Sequence, residues 1–237
     1  MADPLLEIDS ITKRFGGFLA LDRVSLRIRA GERLGLIGPN GSGKTTLINC
    51  VSGALPTDAG RILFEGRDVT RLPAHRRTRL GIVRSFQIPK PFASMTVLEN
   101  LGIPLEYAGL ARAHGAGAME ILTMIGLDAK AHLRPSGLTQ IEMRKLELAR
   151  AMAARPKLLI SDEAMAGLSS AEVDDILAIL FRLNEQGITI IMIEHIMRAV
   201  MRFSERVVVL DAGNRIAEGT PAEIVRNPAV EKAYLGE

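Results

Sequence analysis

The 237-residue sequence holds one cysteine, Cys50, no tryptophan, and only 4% aromatic residues. A single cysteine excludes an intramolecular disulfide and a cysteine-rich metal site, and it fits a reducing compartment. Aromatic and basic residues are nowhere interleaved as in a single-strand binding platform, so no nucleic-acid partner is expected. No apolar run approaches the roughly 20 residues that span a bilayer, and the opening MADPLLEIDS has neither a basic nor an apolar stretch. The chain reads as neither secreted nor itself transmembrane, with the cytoplasm as its compartment. Excess charge is small too, 30 Lys and Arg against 27 Asp and Glu for a net +3. The one basic cluster, HRRTR at 75–79, reads as a solvated helix face rather than a patch for an acidic partner.

What is present is enough apolar material, 47% of residues, for one large core or a core with a smaller lobe. The runs LLEIDSIT, VSLRI and RLGLIG, a helix over about 44–52 and the run RILFEG predict mixed antiparallel and parallel β-structure at the start. Between 96 and 152 the periodicity turns helical. From 157 short strands alternate with helices: KLLISD, a helix near 171–186, ITIIMIE, a helix near 196–203, then RVVVLDA and NRIAEG. Short apolar strands separated by helices indicate parallel crossovers with both sheet faces covered.

Chemistry concentrates at four places. The segment GPNGSGKTT, 38–46, fits G-x-x-x-x-G-K-[ST] and falls between a predicted strand and a predicted helix. Glycines let backbone N–H groups curl around phosphate oxygens, Lys44 neutralises β/γ-phosphate charge and Thr45 can ligate Mg²⁺. A nucleoside triphosphate site follows. The run LLISDE, 158–163, ends an apolar strand in two carboxylates: Asp162 can reach the Mg²⁺ shell and Glu163 can polarise a water against the γ-phosphate. His195, in IMIEHIM, would emerge at the same sheet edge and orient that water. Gln87, in RSFQIPKPF, can join the Mg²⁺ and water shell, with PKP keeping the following chain extended.

In this order the residues resemble one family over essentially the whole chain, the ATP-binding subunits of ABC transporters. GPNGSGKTT is its Walker A loop, Gln87 its Q-loop residue, LLISDE its Walker B strand and His195 its H-loop residue. Phe15 stands at the position of the adenine-stacking aromatic. KRFGGFLALDRVSL, GIVRSFQ, MTVLENL and the run from IEHIM to EGTP look most like the ATPases of branched-chain amino-acid importers and their relatives for urea or short amides. Lipopolysaccharide-export ATPases share much of the same wording.

The resemblance implies an α/β, P-loop NTPase fold of ABC type. A RecA-like core with an antiparallel β-subdomain would occupy 1–95 and 155–237, and a helical subdomain 96–154. It implies ATP and Mg²⁺, with nucleotide held by Phe15, Gly38, Asn40, Gly41, Ser42, Gly43, Lys44, Thr45 and Thr46. Metal would fall to Thr45, Gln87 and Asp162, and hydrolysis to Glu163, His195 and Gln87. It also implies two such chains closing head to tail on two ATP, permease subunits, a periplasmic or extracellular solute-binding protein, and a place on the inner face of the membrane. A nucleotide-binding regulator with little turnover, or a non-transport ATPase, is the competing class.

The sequence departs from the family where it would serve a partner. The signature L-S-G-G-Q falls on Leu138, Thr139, Gln140, Ile141 and Glu142. Ile141 sets a β-branched side chain where a backbone N–H should meet the partner's γ-phosphate, and Glu142 adds negative charge there. T-x-x-E nevertheless remains a capping box for the next helix. In EAMAGLSS, Ala164 replaces the usual Pro and Ser169 the usual Asp or Asn. Residues that would act on the chain's own nucleotide are intact and those offered to a partner's are altered. The expected assembly is therefore a pair with a paralogue, one site competent and one degenerate.

Overall fold

The computed structural model describes residues 3–86, 88–107 and 114–235, the side chains of 114–116 and 235 excepted. Its first sheet is antiparallel. Strand β1 (Leu6–Phe15) turns at Gly16 and Gly17 into β2 (Phe18–Ile28), with Phe15 opposite Phe18. A two-glycine hairpin turn suits the strand twist, and it extends pairing well beyond the expected VSLRI. On its other edge β1 pairs with β4 (Ala59–Phe64), which pairs with β5 (Arg67–Asp68), giving the order β2-β1-β4-β5.

The second sheet has the order β10-β9-β3-β8-β7-β6. Strands β3 (Arg33–Ile37), β6 (Ile82–Ser85), β7 (Leu158–Asp162), β8 (Thr189–Ile193) and β9 (Arg206–Asp211) run parallel, and β10 (Asn214–Gly219) returns antiparallel to β9. Every residue of β7 and β8 is buried, as continuous apolar runs in a doubly covered sheet require. The two-residue period sorts them. Leu158, Ile160, Ile191 and Ile193 join a core with the antiparallel sheet and helix α1 (Lys44–Ser52). Leu159, Ile190 and Met192 join a second core under the helices on the opposite face.

Helix α2 (Ala74–Leu80) precedes β6, and helices α3 (Val97–Tyr107), α4 (His114–Ile125) and α5 (Gln140–Ala153) pack on one another between β6 and β7. Helices α6 (Ser170–Glu185) and α7 (Met197–Phe203) are the crossovers, and α8 (Pro221–Val225) and α9 (Pro228–Leu235) follow β10. The solvated reading of HRRTR fails at Arg77, which is 1% exposed. Its guanidinium donates to the carbonyls of Thr70, Leu72, Cys50 and Val51 at 2.6–2.9 Å, and the last two close the C-terminal turn of α1. Carbonyls at the end of a helix, where the dipole is negative, are strong acceptors for a cation.

Candidate functional site

The carboxyl ends of β3, β7 and β8 lie side by side, and each delivers part of the site. After β3 the chain makes the loop 38–43 and enters α1 at Lys44. Gly38 has φ +150°, and a Cβ there would sit 2.1 Å from Leu210 O; Gly43 has φ +103°, and its Cβ would sit 2.7 Å from Ala20 O. Neither position admits a side chain. Gly43 gives α1 no side-chain cap, and no acidic residue occupies its first turn. The leading N–H groups of α1 and the positive end of its dipole therefore form an anion seat. Lys44, 7% exposed, donates from Nζ to Gly38 O at 2.7 Å and Pro39 O at 3.0 Å. Burial lowers its pKa, while Glu163 and Asp162 work to keep it charged. Ser42 Oγ, in the same loop, is buried without a hydrogen-bond partner among the described residues.

Asp162 closes β7 and accepts from Arg84 Nη2 at 2.5 Å. Arg84, on β6, also donates to Asn49 of α1 and covers the Phe86 ring at 5.2 Å. This arginine escaped the sequence reading; a lone cation inside the apolar strand GIVRSF was the available signal. The next residue, Glu163, has φ +47°. For a residue with a Cβ that backbone costs about 1–3 kcal/mol and persists only when its surroundings hold it. It brings Glu163 Oε1 to 3.1 Å from His195 Nε2. Between β8 and His195, Glu194 turns inward at 2% exposure. Burial pushes its carboxyl up to about 7, against the hydrogen bond it accepts from Met165 N and the pull of the His195 backbone N–H.

A cleft of ≈ 250 Å³ is lined by Phe15, Phe18, the run from Asn40 to Thr46, Glu163 and His195. The structure thus brings together nearly all the expected nucleotide residues and two of the three catalytic ones. Phe18, also missed, stands exposed beside Phe15 at the hairpin tip. An adjoining cleft of ≈ 480 Å³ contains Thr45, Arg84, Asp162, Glu163 and, from α5, Glu147 and Arg150. Gln87 lies outside the described residues, although its neighbours Phe86 and Ile88 line this second cleft. One hydroxyl and one carboxylate are hard, sparse donors of the kind that leave Mg²⁺ its waters and substrate phosphates. Among the described residues no cluster of three His, Cys, Asp or Glu offers an all-protein metal cage.

The five signature positions lie elsewhere; among the described residues lining the cleft with Lys44, none comes from 138–142. Thr139 caps α5: its Oγ1 accepts Glu142 N at 3.4 Å, and Glu142 Oε2 accepts Thr139 N at 2.9 Å. Leu138 and Ile141 are half-buried against the second core. Glu142 also pairs with Lys130 at 2.7 Å, and that bond lowers its pKa. Its charge is therefore partly compensated within the chain, which softens the repulsion expected from the sequence. Gln140 Nε2 approaches Gly167, and Arg144 donates to Ala166 O at 3.2 Å. Ser169 performs the same capping task for α6 with Glu172.

Comparison with known proteins agrees with this geometry. The ABC transporter family profile matches residues 21–166, and that of the branched-chain amino acid ATP-binding cassette transporters matches 214–237. The chain is 39% identical to the high-affinity branched-chain amino acid transport ATP-binding protein BraF of Pseudomonas aeruginosa, covering 100% of both. It is 38% identical to the probable branched-chain amino acid transport ATP-binding protein LivG of Archaeoglobus fulgidus, covering 98% of this chain and 95% of the relative. Among solved structures, the ADP conformation of an ATP-binding cassette of an ABC transporter superposes with TM-score 0.89 at 34% identity, covering 100% of both chains. A dimeric cassette in a post-hydrolysis state with ADP and Pi gives 0.82 at 26% identity, covering 91% of this chain and 98% of that one. The chain belongs to the ABC transporter family, as one of its ATP-hydrolysing cassettes.

Proposed function

We propose that this cassette energises import of branched-chain amino acids or related amino-acid and amide compounds, docked through permease subunits on the inner face of the membrane. The observation that carries the reading is the convergence of the phosphate loop, Glu163 and His195 on one cleft flanked by Phe15. The α1 N-terminus and Lys44 would hold the triphosphate, and Phe15 would stack on the base. Thr45, Asp162 and Gln87 would hold Mg²⁺, which supplies charge neutralisation on the phosphates when bound. Glu163 takes the proton of the attacking water as the bond between the β,γ-bridging oxygen and the γ-phosphorus breaks, and His195 steadies that carboxylate. Exposed Phe86, Ile88, Phe92, Ile103 and Tyr107 offer the apolar surface a permease would cover.

The separation of 138–142 from the chain's own cleft supports a second cassette completing each site. Ile141 and the Lys130-bound Glu142 favour a paralogue as that partner, with a solute-binding protein delivering cargo outside. The chain's own ATP would turn over against the partner's signature, while ATP held against 138–142 turns over slowly. The test compares ATPase of the isolated chain with that of the reconstituted pair. The pair is expected to be much the faster, and a homodimer matching its rate overturns the asymmetry.

A further inference from the structure

The turn that leaves β7 is held from β8 at two points. Ile193 O accepts the Glu163 N–H at 2.9 Å, extending the parallel ladder in which Asp162 stands opposite Ile193. Two residues later Met165 N–H donates to Glu194 Oε1 at 2.9 Å, in a buried setting. The backbone N–H of the next residue, His195, also works to lower the pKa of this carboxylate. A side chain on the residue next to His195 thus binds the backbone just after Glu163, and it lines neither site cleft. Among the described residues no Lys or Arg pairs with Glu194, and the charged neighbours that act on it, Glu163 and Asp162, repel it. A buried carboxylate in that position is costly, and an apolar residue would fill the space more cheaply.

We infer that Glu194 is a positioning residue for ATP hydrolysis: it ties the turn carrying Glu163 to the segment carrying His195 and so fixes that pair against the phosphate loop. The backbone explains the need. Glu163 sits at φ +47°, which it leaves unless both sides of the turn are anchored. Releasing Met165 N–H frees the far side. The Glu163 carboxylate then swings away from His195 Nε2 without any change at Lys44 or at the α1 N-terminus. The inference rests on reading Glu163 as the group that polarises water.

The test uses the full chain assembled with its partner cassette, and measures kcat, KM and equilibrium ATP affinity for Glu194→Ala, Glu194→Gln and Glu163→Gln. Displacing a reacting group by about 1 Å costs about 100-fold, so Glu194→Ala should lower kcat by that order, with KM and affinity within about twofold of the parent. The Gln amide oxygen can still accept Met165 N–H, so Glu194→Gln should fall between parent and Ala. Should the Ala variant not fold, the isosteric Gln variant alone decides, with kcat several-fold down at unchanged KM. Parent kcat in a folded Ala variant, a Gln variant no better than Ala, or KM rising in step with the loss overturns the inference. Glu163→Gln separates the two readings. Undiminished turnover there removes the premise; abolished turnover beside an unaffected Glu194→Ala removes the positioning role alone.

Discussion

Arg77 shows how much one side chain contributes without touching the site. Its guanidinium satisfies four carbonyls from the end of α1 and from the segment leading into α2, in a place water does not reach. Methionine would keep most of the volume and remove all four bonds, leaving Cys50 O only its bond from Gly53 N–H. Since hydrogen bonds to a charged group contribute about 1.5–3 kcal/mol each and do not add fully, Arg77→Met should cost at least about 3 kcal/mol in urea unfolding. Lysine, without the planar fork, should recover little of it. His75, exposed on the same helix, should tolerate alanine within about 0.5 kcal/mol. Glu194 makes a pH-dependent counterpart. Its carboxyl titrates near 7 in the fold against an ordinary value of 4.5, because it is buried and faces Glu163 and Asp162. Between those pH values the folded chain holds a proton that the unfolded chain has released, so this group's contribution to stability declines from pH 4.5 to 7 and levels off above. Glutamine carries no such penalty. The stability of Glu194→Gln relative to the parent should therefore improve from pH 5 to pH 8, by up to about 3 kcal/mol; a pH-independent difference would contradict the shift.

At the scale of elements, the helical face of the molecule is organised around the segment that follows β6. Asn100, wholly buried on α3, accepts Phe92 N–H at 2.8 Å and donates to the carbonyls of Phe92 and Thr96. Arg150 of α5 donates to Lys90 O and covers the Phe92 ring at 5.1 Å. Asn100→Leu should cost about 2 kcal/mol through the orphaned Phe92 N–H, and exchange of that amide should accelerate more than amides in β7. Nothing in MTVLENL announces Asn100, because its partners lie four to eight residues back in an irregular loop. The caps were legible for the opposite reason. Thr139 with Glu142 needs only a spacing of three and a helix to follow; Ser169–Glu172 and Thr220–Glu223 repeat that spacing, although only the first was read from the sequence. The glycine–lysine loop was equally readable, since its glycines and Lys44 stand at one fixed spacing in a single segment. Arg77, Arg84 and Glu194 were not, because a charge in an apolar run gains meaning only from what the neighbouring strand or helix places against it.

At the scale of the whole molecule, the chain holds its phosphate loop in one cleft and residues 138–142 away from it, so under the proposed pairing turnover would belong to two chains. To that reading the structure adds how residues 138–142 are held within the chain. Ile141 is only half-buried, and Glu142 does two jobs, capping α5 and pairing with Lys130. A double change, Ile141→Gly with Glu142→Gln, restores the phosphate-facing backbone. Glycine in the first turn of α5 costs about 1 kcal/mol in propensity. Glutamine keeps the capping bond and gives up a partly exposed ion pair worth at most about 1 kcal/mol. The fold can absorb both. If 138–142 is what limits a homodimer, the double variant should hydrolyse ATP faster than the parent chain alone by up to about 100-fold, the scale of regaining one transition-state donor. Adding Glu163→Gln to it should abolish the gain, which ties the recovered rate to the chain's own carboxylate. A double variant that stays at the parent rate, while the parent chain is fully active beside its partner, would move the asymmetry from 138–142 to the segment between Ala164 and Ser169, where Ser169 spends its side chain on capping α6.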